Sequence, residues 1–288
     1  MTEQPTPSIA AFSISPRFAP ATAEPLLTGG RKLRQRFLQT PLRFAGREAP
    51  LMRADETEPA AILIRSGFAF RSCTLAHGRR AILDILVPGD FVGLDRLVLM
   101  RPIEAIAATG RVGYQALNIE NLHELMADPS ITLRMMAIIA EAGWRAERLA
   151  ASIGRLDAQS RLGVFLLDIY DRLRQRGLVS RPSYNLPLTQ KQIADHLGLT
   201  LVHVNRTLRL LREERIVDVD RQVVIIADIE RLREVALGLP QRAEMPELYP
   251  NSKCAESHSH FVEVDFQENE KFDITDPGSG GATQCRRA

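Results

Sequence analysis

The segment that most constrains the fold is TQKQIADHLGLTLVHVNRTLRLL, which runs from residue 189 to residue 211. It predicts two short helices joined by a sharp turn. Thr189 followed three residues later by Gln192 is a capping box, which marks the start of the first helix. Gly198 ends that helix, because glycine readily takes the left-handed conformation of a helix end. Thr200 is suited to cap the second helix.

The residues that follow this helix pair predict a β-hairpin. RIVDVDRQVVII, residues 215–226, holds two short β-type runs around Asp220 and Arg221. Another helix, RLGVFLLDIYDRLRQRG, precedes the pair and ends at Gly177. Helix, glycine turn, helix and hairpin in this order make a winged helix-turn-helix, which we place at residues 158–239.

The second helix of the pair has a polar face that suits DNA. It carries no acidic residue before Glu213, although acidic residues are usual at a helix start. Free N–H groups and the dipole at a helix N-terminus attract phosphate. In a major groove, Arg206 would pair with a guanine, Asn205 with an adenine or a phosphate, and Val202 with a thymine methyl.

Other polar residues near these two N-termini are candidates for phosphate contacts that fix the register on DNA. The DNA-binding residues predicted from the sequence are therefore Thr189, Gln190, Thr200, Val202, His203, Asn205, Arg206 and Arg209. The alternative is a solvated basic helix in a domain that binds another protein.

The first half of the chain has a different pattern. From about residue 51 to residue 119, short apolar runs alternate with turn residues such as Ser66-Gly67 and Pro88-Gly89-Asp90. Runs of this length predict β-hairpins of a small barrel or sandwich. A parallel sheet is not expected, because no long helix separates the runs.

A long amphipathic helix is predicted between the two halves, over residues 131–157. Its apolar residues recur every three or four positions from Met135 to Leu156. The apolar residues of such a stripe can be buried equally well in the core of one chain or in a coiled-coil-like interface, here called the seam, between two chains. The candidate seam residues are Met135, Ile138, Ala142, Leu149 and Ile153.

Both ends of the chain are predicted to lack a packed core. Residues 1–27 read as a disordered arm, and residues 240–288 as an acidic, disordered tail. From residue 241 onward there are 5 lysines and arginines against 9 acidic residues, and the rest of the chain carries 32 against 26. This basic excess in the folded part permits a polyanionic partner.

Three motifs, and the order in which they occur, resemble those of the CRP/FNR family of bacterial transcription regulators. They are VPGDFVGL at residues 87–94, the long helix, and the helix pair at 189–211. The resemblance implies an α+β fold with an antiparallel β-roll of the cyclic-nucleotide-binding type at residues 28–130. It also implies a dimerisation helix at residues 131–157, which favours the seam interpretation. A homodimer would bind double-stranded DNA at a pseudo-palindromic operator, with RNA polymerase as a further partner.

The chain departs from that family at positions that matter for an effector. Nucleotide-binding members have a glutamate where this chain has Leu94, and an Arg-Ser or Arg-Thr pair near Glu104-Ala105. A glutamate repels a phosphate, so cyclic AMP or GMP is not expected. The N-terminal arm has no cysteine, which argues against an iron–sulfur sensor. In the second helix of the pair, many family members have the pattern E-x-x-S-R. This chain has Val202, Asn205 and Arg206 at those three positions, so only the arginine is retained.

No cofactor, metal site or catalytic constellation is expected, and the effector stays open. The three cysteines are far apart and form no CxxC, which fits a reducing cytoplasm. Cys73 near His77 reads as a strand cysteine beside a turn histidine, with a haem or metal site as the alternative. Cys73 is also a candidate redox site. We expect no membrane span or secretory signal. The rival functions are an enzyme or a protein-interaction module with an appended helix-turn-helix, or a regulator that needs no effector.

Overall fold

The structure of the chain, a computed structural model, describes residues 20–52, 59–98 and 105–236. The fold is mixed helix and strand, as the sequence predicts. The acidic tail, most of the predicted arm and Glu104 lie outside the described residues. No helix in the described part is long and apolar enough to cross a membrane.

Eight strands in two antiparallel four-stranded sheets form the N-terminal β-roll, with strand orders β1-β8-β3-β6 and β2-β7-β4-β5. Its core lies between the sheets and consists of aliphatic side chains such as Ile62, Ile64 and Ile106. The β3–β4 turn needs glycine, because Gly67 has φ +71 and a Cβ there would lie 2.2 Å from the carbonyl oxygen of Arg111. The strands are β1 Arg43–Ala45, β2 Pro50–Met52, β3 Ala61–Ser66, β4 Ala69–Thr74, β5 Arg80–Leu86, β6 Phe91–Val92, β7 Ala105–Ala108 and β8 Val112–Leu117.

Helices surround the roll and build the C-terminal domain. The roll is flanked by α1 and by short 3-10 helices at Ala76–Gly78 and Leu94–Leu97. The long helix is α3, and it begins at Pro129 with Asp128 as its cap, two residues before the predicted start. The helices are α1 Pro20–Leu38, α2 Ile119–Leu125, α3 Pro129–Arg155, α4 Ala158–Gln175, α5 Gln190–Leu197, α6 Leu201–Glu213 and α7 Ile229–Val235.

Helix α1 corrects the prediction of a disordered arm over residues 1–27, because residues 20–27 lie in this helix. Pro25 and the pair Gly29-Gly30 weaken its helical propensity, so the sequence alone did not predict it. The helix is held instead by tertiary contacts, since Leu33 and Phe37 are buried with residues of α3. Gly29 permits the closest approach: a Cβ there would lie 1.8 Å from the carbonyl oxygen of Ser130.

The C-terminal domain combines α4 to α7 with a three-stranded antiparallel sheet of order β10-β11-β9. Strands β10 Val217–Asp220 and β11 Val223–Ile226 are the predicted hairpin. Strand β9, Ser183–Asn185, is formed by pairing with β11. One apolar cluster joins this domain to Phe70, Ile82 and Ile85 of the roll, so the two halves pack directly on each other.

Candidate nucleic-acid interface

The turn between α5 and α6 has the predicted geometry. The Thr189 hydroxyl accepts from the Gln192 backbone N–H at 3.1 Å, and the Gln192 side chain accepts from the Thr189 N–H at 2.8 Å. Gly198 ends α5 in the left-handed region with φ 63°. These short-range contacts set the angle at which α6 leaves the turn.

Helix α6 buries one face and exposes the predicted DNA face. Val204, Thr207 and Leu211 are buried against the rest of the domain. On the opposite side Val202 is 74% exposed, and Asn205 and Arg206 are also exposed. Neither the Asn205 nor the Arg206 side chain has a hydrogen bond or ion pair in the part of the chain that the structure describes. Both side chains are therefore available to a ligand.

The other predicted contact residues divide into capping and accessible groups. Thr189 is half-buried and Thr200 is exposed, and the hydroxyl of each caps a helix. His203 places Nδ1 3.1 Å from the Thr200 hydroxyl. Arg209 pairs with Glu213 at 3.4 Å, and Gln190 is exposed at the start of α5. All eight residues thus lie on the helix pair or at its caps, and all but Thr189 are exposed.

The hairpin adds a candidate that the sequence analysis missed. Arg221 and Gln222 form its two-residue tip with φ values of 43° and 71°. A two-residue hairpin turn requires this backbone region at both central positions, and both side chains are exposed there. Arg212 of α6 donates to Asp218 at 2.6 Å and to the Val219 carbonyl at 2.7 Å, which fixes the hairpin relative to α6. The only sequence signal was an arginine at the predicted turn.

Helix α5 is tied to the roll by polar contacts. Gln192 donates to Glu48 at 2.9 Å, and Arg80 pairs with both Glu48 at 2.9 Å and Asp195 at 3.5 Å. The His196 Nδ1 lies 3.1 Å from the Ile82 carbonyl oxygen. Burial lowers the pKa of His196, which therefore stays neutral near pH 7.

A buried charge network holds α4 to the turn between β5 and β6. Asp90 accepts from Arg172 and, at 2.6 Å, from Arg176. Burial alone would raise the pKa of Asp90, but the two guanidinium groups more than offset it and hold that pKa well below its usual range. Asp84 and Arg145 form a second pair at 2.7 Å, and the pKa of Asp84 is lowered for the same reasons.

Some of the residues predicted to form the seam on α3 are buried inside the chain itself. Met135 and Ile138 are buried in the chain's own core, where α1 covers this side of α3, so these two assignments are wrong. Ala142 and Leu149 are half-buried, and Ile153 is exposed. A different face is open, and its residues recur at alternating steps of three and four. This α3 stripe consists of Met136, Ile139, Gly143, Ala146, Ala150 and Ile153.

The positions considered for an effector lie in or near the roll. Leu94 is buried among apolar residues, and the preceding Gly93 has φ +93, with a Cβ position 2.4 Å from the Ala60 carbonyl oxygen. Cys73 is a half-buried free thiol on β4. Within the described residues no group of histidine, cysteine and acidic side chains is arranged to hold a metal ion.

Comparison with known proteins gives the family. Residues 160–235 match the model of the Crp-like helix-turn-helix domain. The nitrogen fixation regulation protein FixK of Azorhizobium caulinodans is 29% identical over 201 residues, covering 69% of this chain and 79% of that protein. The transcriptional activator FnrL of Cereibacter sphaeroides is 28% identical over 176 residues, covering 59% and 70%.

The chain carries a Crp-like helix-turn-helix domain and is similar to regulators of the CRP/FNR family. The structure of FixK2 from Bradyrhizobium japonicum shares the fold with a TM-score of 0.62 at 24% identity, covering 69% of this chain and 98% of that one. A CRP-family transcriptional regulator from Thermus thermophilus has a TM-score of 0.56 at 19% identity, covering 70% and 100%. The protein is a bacterial transcription regulator of the CRP/FNR type, which binds DNA through its helix-turn-helix.

Proposed function

We propose that the chain binds a pseudo-palindromic operator as a homodimer, reading base edges with Val202, Asn205 and Arg206 of α6. The observation that carries this proposal is the exposed N-terminal turn of α6, which has no acidic residue. A helix end of this kind attracts phosphate, and its first turns face base edges when it enters a major groove. Arg221 at the hairpin tip and the caps Thr189 and Thr200 would contact the backbone.

The α3 stripe supports the homodimer. Its spacing matches the seven-residue repeat of a two-stranded coiled coil, and Met136 is 62% exposed although it is a large apolar side chain. Gly143, Ala146 and Ala150 are small, so two such helices could approach closely along the middle of the stripe. A second copy of this chain, related by a two-fold axis, would bury the same stripe of both copies.

A cyclic nucleotide is not proposed as the effector. Leu94 occupies the position where nucleotide-binding relatives would place a glutamate, and it is buried among apolar residues. It therefore offers no hydrogen bond to a ribose. Contact with RNA polymerase is part of the proposal through family resemblance alone.

Nuclease footprinting of the full chain on its own promoter regions tests the proposal. We expect protection of an inverted repeat whose half-sites are about one helical turn apart. Affinity should fall steeply as salt rises, because each phosphate contact releases counterions. Binding of duplex DNA with no inverted repeat protected, or with equal affinity at high salt, would contradict the proposal. A chain that binds no duplex at moderate salt would favour a protein-binding role for the helix pair.

A further inference from the structure

A small cavity with a mixed polar and apolar lining lies where the roll meets the C-terminal domain. It has a volume of about 50 Å³ and is bounded by β5, α3, α4 and α5. On this measure a single water needs roughly 10–15 Å³, so the cavity holds three or four heavy atoms. Apolar side chains complete its wall, and its polar lining includes Asp84, Arg148, Ser152, Asp168, Arg172 and His196. We call it the junction cavity.

Several donors in the lining have no protein partner. Ser152 and Arg172 are each only 2% exposed. The Ser152 hydroxyl, the Arg148 Nε and the Arg172 Nε are buried without a hydrogen-bond partner among the described residues. Buried polar groups are almost always hydrogen-bonded in native proteins, so three such groups around one cavity indicate a missing acceptor.

The carboxylates of the lining have hydrogen-bond and ion-pair partners other than these three donor atoms. Asp84 accepts from Arg145 Nη2 at 2.7 Å and from its Nε at 3.2 Å. Asp168 pairs with Arg148 at 3.2 Å and with Arg172 at 3.6 Å. Both acidic groups are therefore already engaged with guanidinium groups.

The lining also carries an excess of positive charge. Four arginines, two aspartates and one histidine face the cavity: Arg145, Arg148, Arg161, Arg172, Asp84, Asp168 and His196. Burial lowers the pKa of His196, so it adds no charge at neutral pH. Asp90 and Arg176, just beyond the lining, pair with each other at 2.6 Å and leave this balance unchanged. Water in the cavity would accept hydrogen bonds from the donors but would not neutralise the excess positive charge.

We propose that the junction cavity binds a small anion of single negative charge and three or four heavy atoms, of the size of formate or nitrate. The Ser152 hydroxyl and the Nε atoms of Arg148 and Arg172 donate to it. A nucleotide or any other phosphate ester is too large for the volume. Because the donors come from α3 and α4 and the wall from β5 and α5, the anion would bridge the two halves of the chain. The inference concerns binding alone and does not depend on the proposed function.

The chain contains its own reporter of occupancy. Trp144, its single tryptophan, has the Arg148 guanidinium 4.6 Å from its ring centroid. An anion that engages Arg148 changes the electrostatic environment of that ring. Formate is the suitable probe, because it neither absorbs nor quenches at the wavelengths of tryptophan emission.

The experiment titrates the full chain with sodium formate at constant ionic strength, with a bulky sulfonate as the replacing anion. We expect a saturable rise in melting temperature and a saturable change in Trp144 emission with the same midpoint, since a ligand that binds only the folded state stabilises it. Chloride and sulfate serve as probes of smaller and larger size, and sulfate should produce neither effect.

Three variants decide whether the effect arises in the cavity. Ser152→Ala and Arg148→Lys, which keeps a positive charge but removes Nε, should each weaken the formate midpoint by about tenfold or more. Ser72→Ala, a buried serine of β4 outside the lining, should leave the midpoint unchanged. A linear, non-saturating response, an equal response to sulfate, or equal midpoints in the wild-type chain and both cavity variants would overturn the proposal.

Discussion

Arg176, at the end of α4, donates from Nη2 to Asp90 Oδ1 over 2.6 Å, although the two residues are 86 positions apart. The same aspartate accepts from the Val87 backbone N–H at 2.8 Å, which shapes its own turn. Arg172 is a further donor to Asp90. One carboxylate thus stabilises the turn of the roll and joins the roll to the DNA-binding domain.

Replacing Asp90 by Asn should destabilise the chain strongly. The substitution removes the counter-charge of Arg176 and leaves Arg172 with only Asp168, at 3.6 Å. Breaking a buried ion pair on one side costs about 3–5 kcal/mol. The free energy of unfolding from urea titration measures the loss. Asp95→Asn, at a half-buried position in the next turn, should cost under about 1 kcal/mol. Equal losses in the two variants would show that the network contributes little.

Acid should destabilise the protein in two separate steps. The pKa of His196 is lowered below its ordinary 6.5, so its neutral form contributes stability above that pH, which is lost as pH falls below it. The pKa values of Asp84 and Asp90 are lowered below 3.8, so their contribution is lost only as pH falls below about 4. Unfolding free energies measured from pH 8 to pH 3 show both steps, and His196→Gln should remove the first and retain the second.

The α3 stripe should control the oligomeric state. Met136→Glu together with Ile139→Glu places charges on the two large apolar side chains at the N-terminal end of the proposed seam, so we expect folded monomers by sedimentation and unchanged circular dichroism. Ile138→Glu should instead unfold the chain, because Ile138 lies in its own core. Met126→Glu, an exposed methionine of another segment, is the matched control and should remain dimeric. A dimer that survives the double substitution would place the interface elsewhere.

Arg206 should determine base specificity. We expect Arg206→Ala to cost about 1–3 kcal/mol at one guanine of the operator and less on a site with that base changed. Arg209→Ala, whose side chain already pairs with Glu213, should weaken binding by a similar factor on both sites. Gel-shift titrations on the two duplexes provide the comparison. A uniform loss for Arg206→Ala would make it a phosphate contact.

Gly29 should be required for the packing of α1 on α3. A side chain at Gly29 would overlap the Ser130 carbonyl at 1.8 Å, so Gly29→Val should separate the helices and destabilise the chain by more than about 2 kcal/mol. At Gly154, near the end of α3, a Cβ meets nothing within 4 Å. Gly154→Ala should therefore stabilise by about 0.5–1 kcal/mol, because alanine is the better helix former. Thermal unfolding of both variants distinguishes these outcomes.

The sequence by itself determined the helix-turn-helix and its exposed face. The caps at Thr189 and Thr200 and the turn at Gly198 act over three or four residues, so their geometry follows from local chemistry. The hairpin and the antiparallel character of the roll were predicted for the same reason, since turn residues mark the ends of short strands.

Only the tertiary structure decided which face of α3 is open. The stripe from Met135 and the stripe from Met136 both have helical spacing, and α1 selects between them by covering Met135 and Ile138. That helix has weak propensity of its own and is held by contacts with residues about a hundred positions away. The junction cavity and the Asp90 network likewise join segments from distant parts of the chain, and pairing over such separations depends on the folded geometry and not on local sequence pattern.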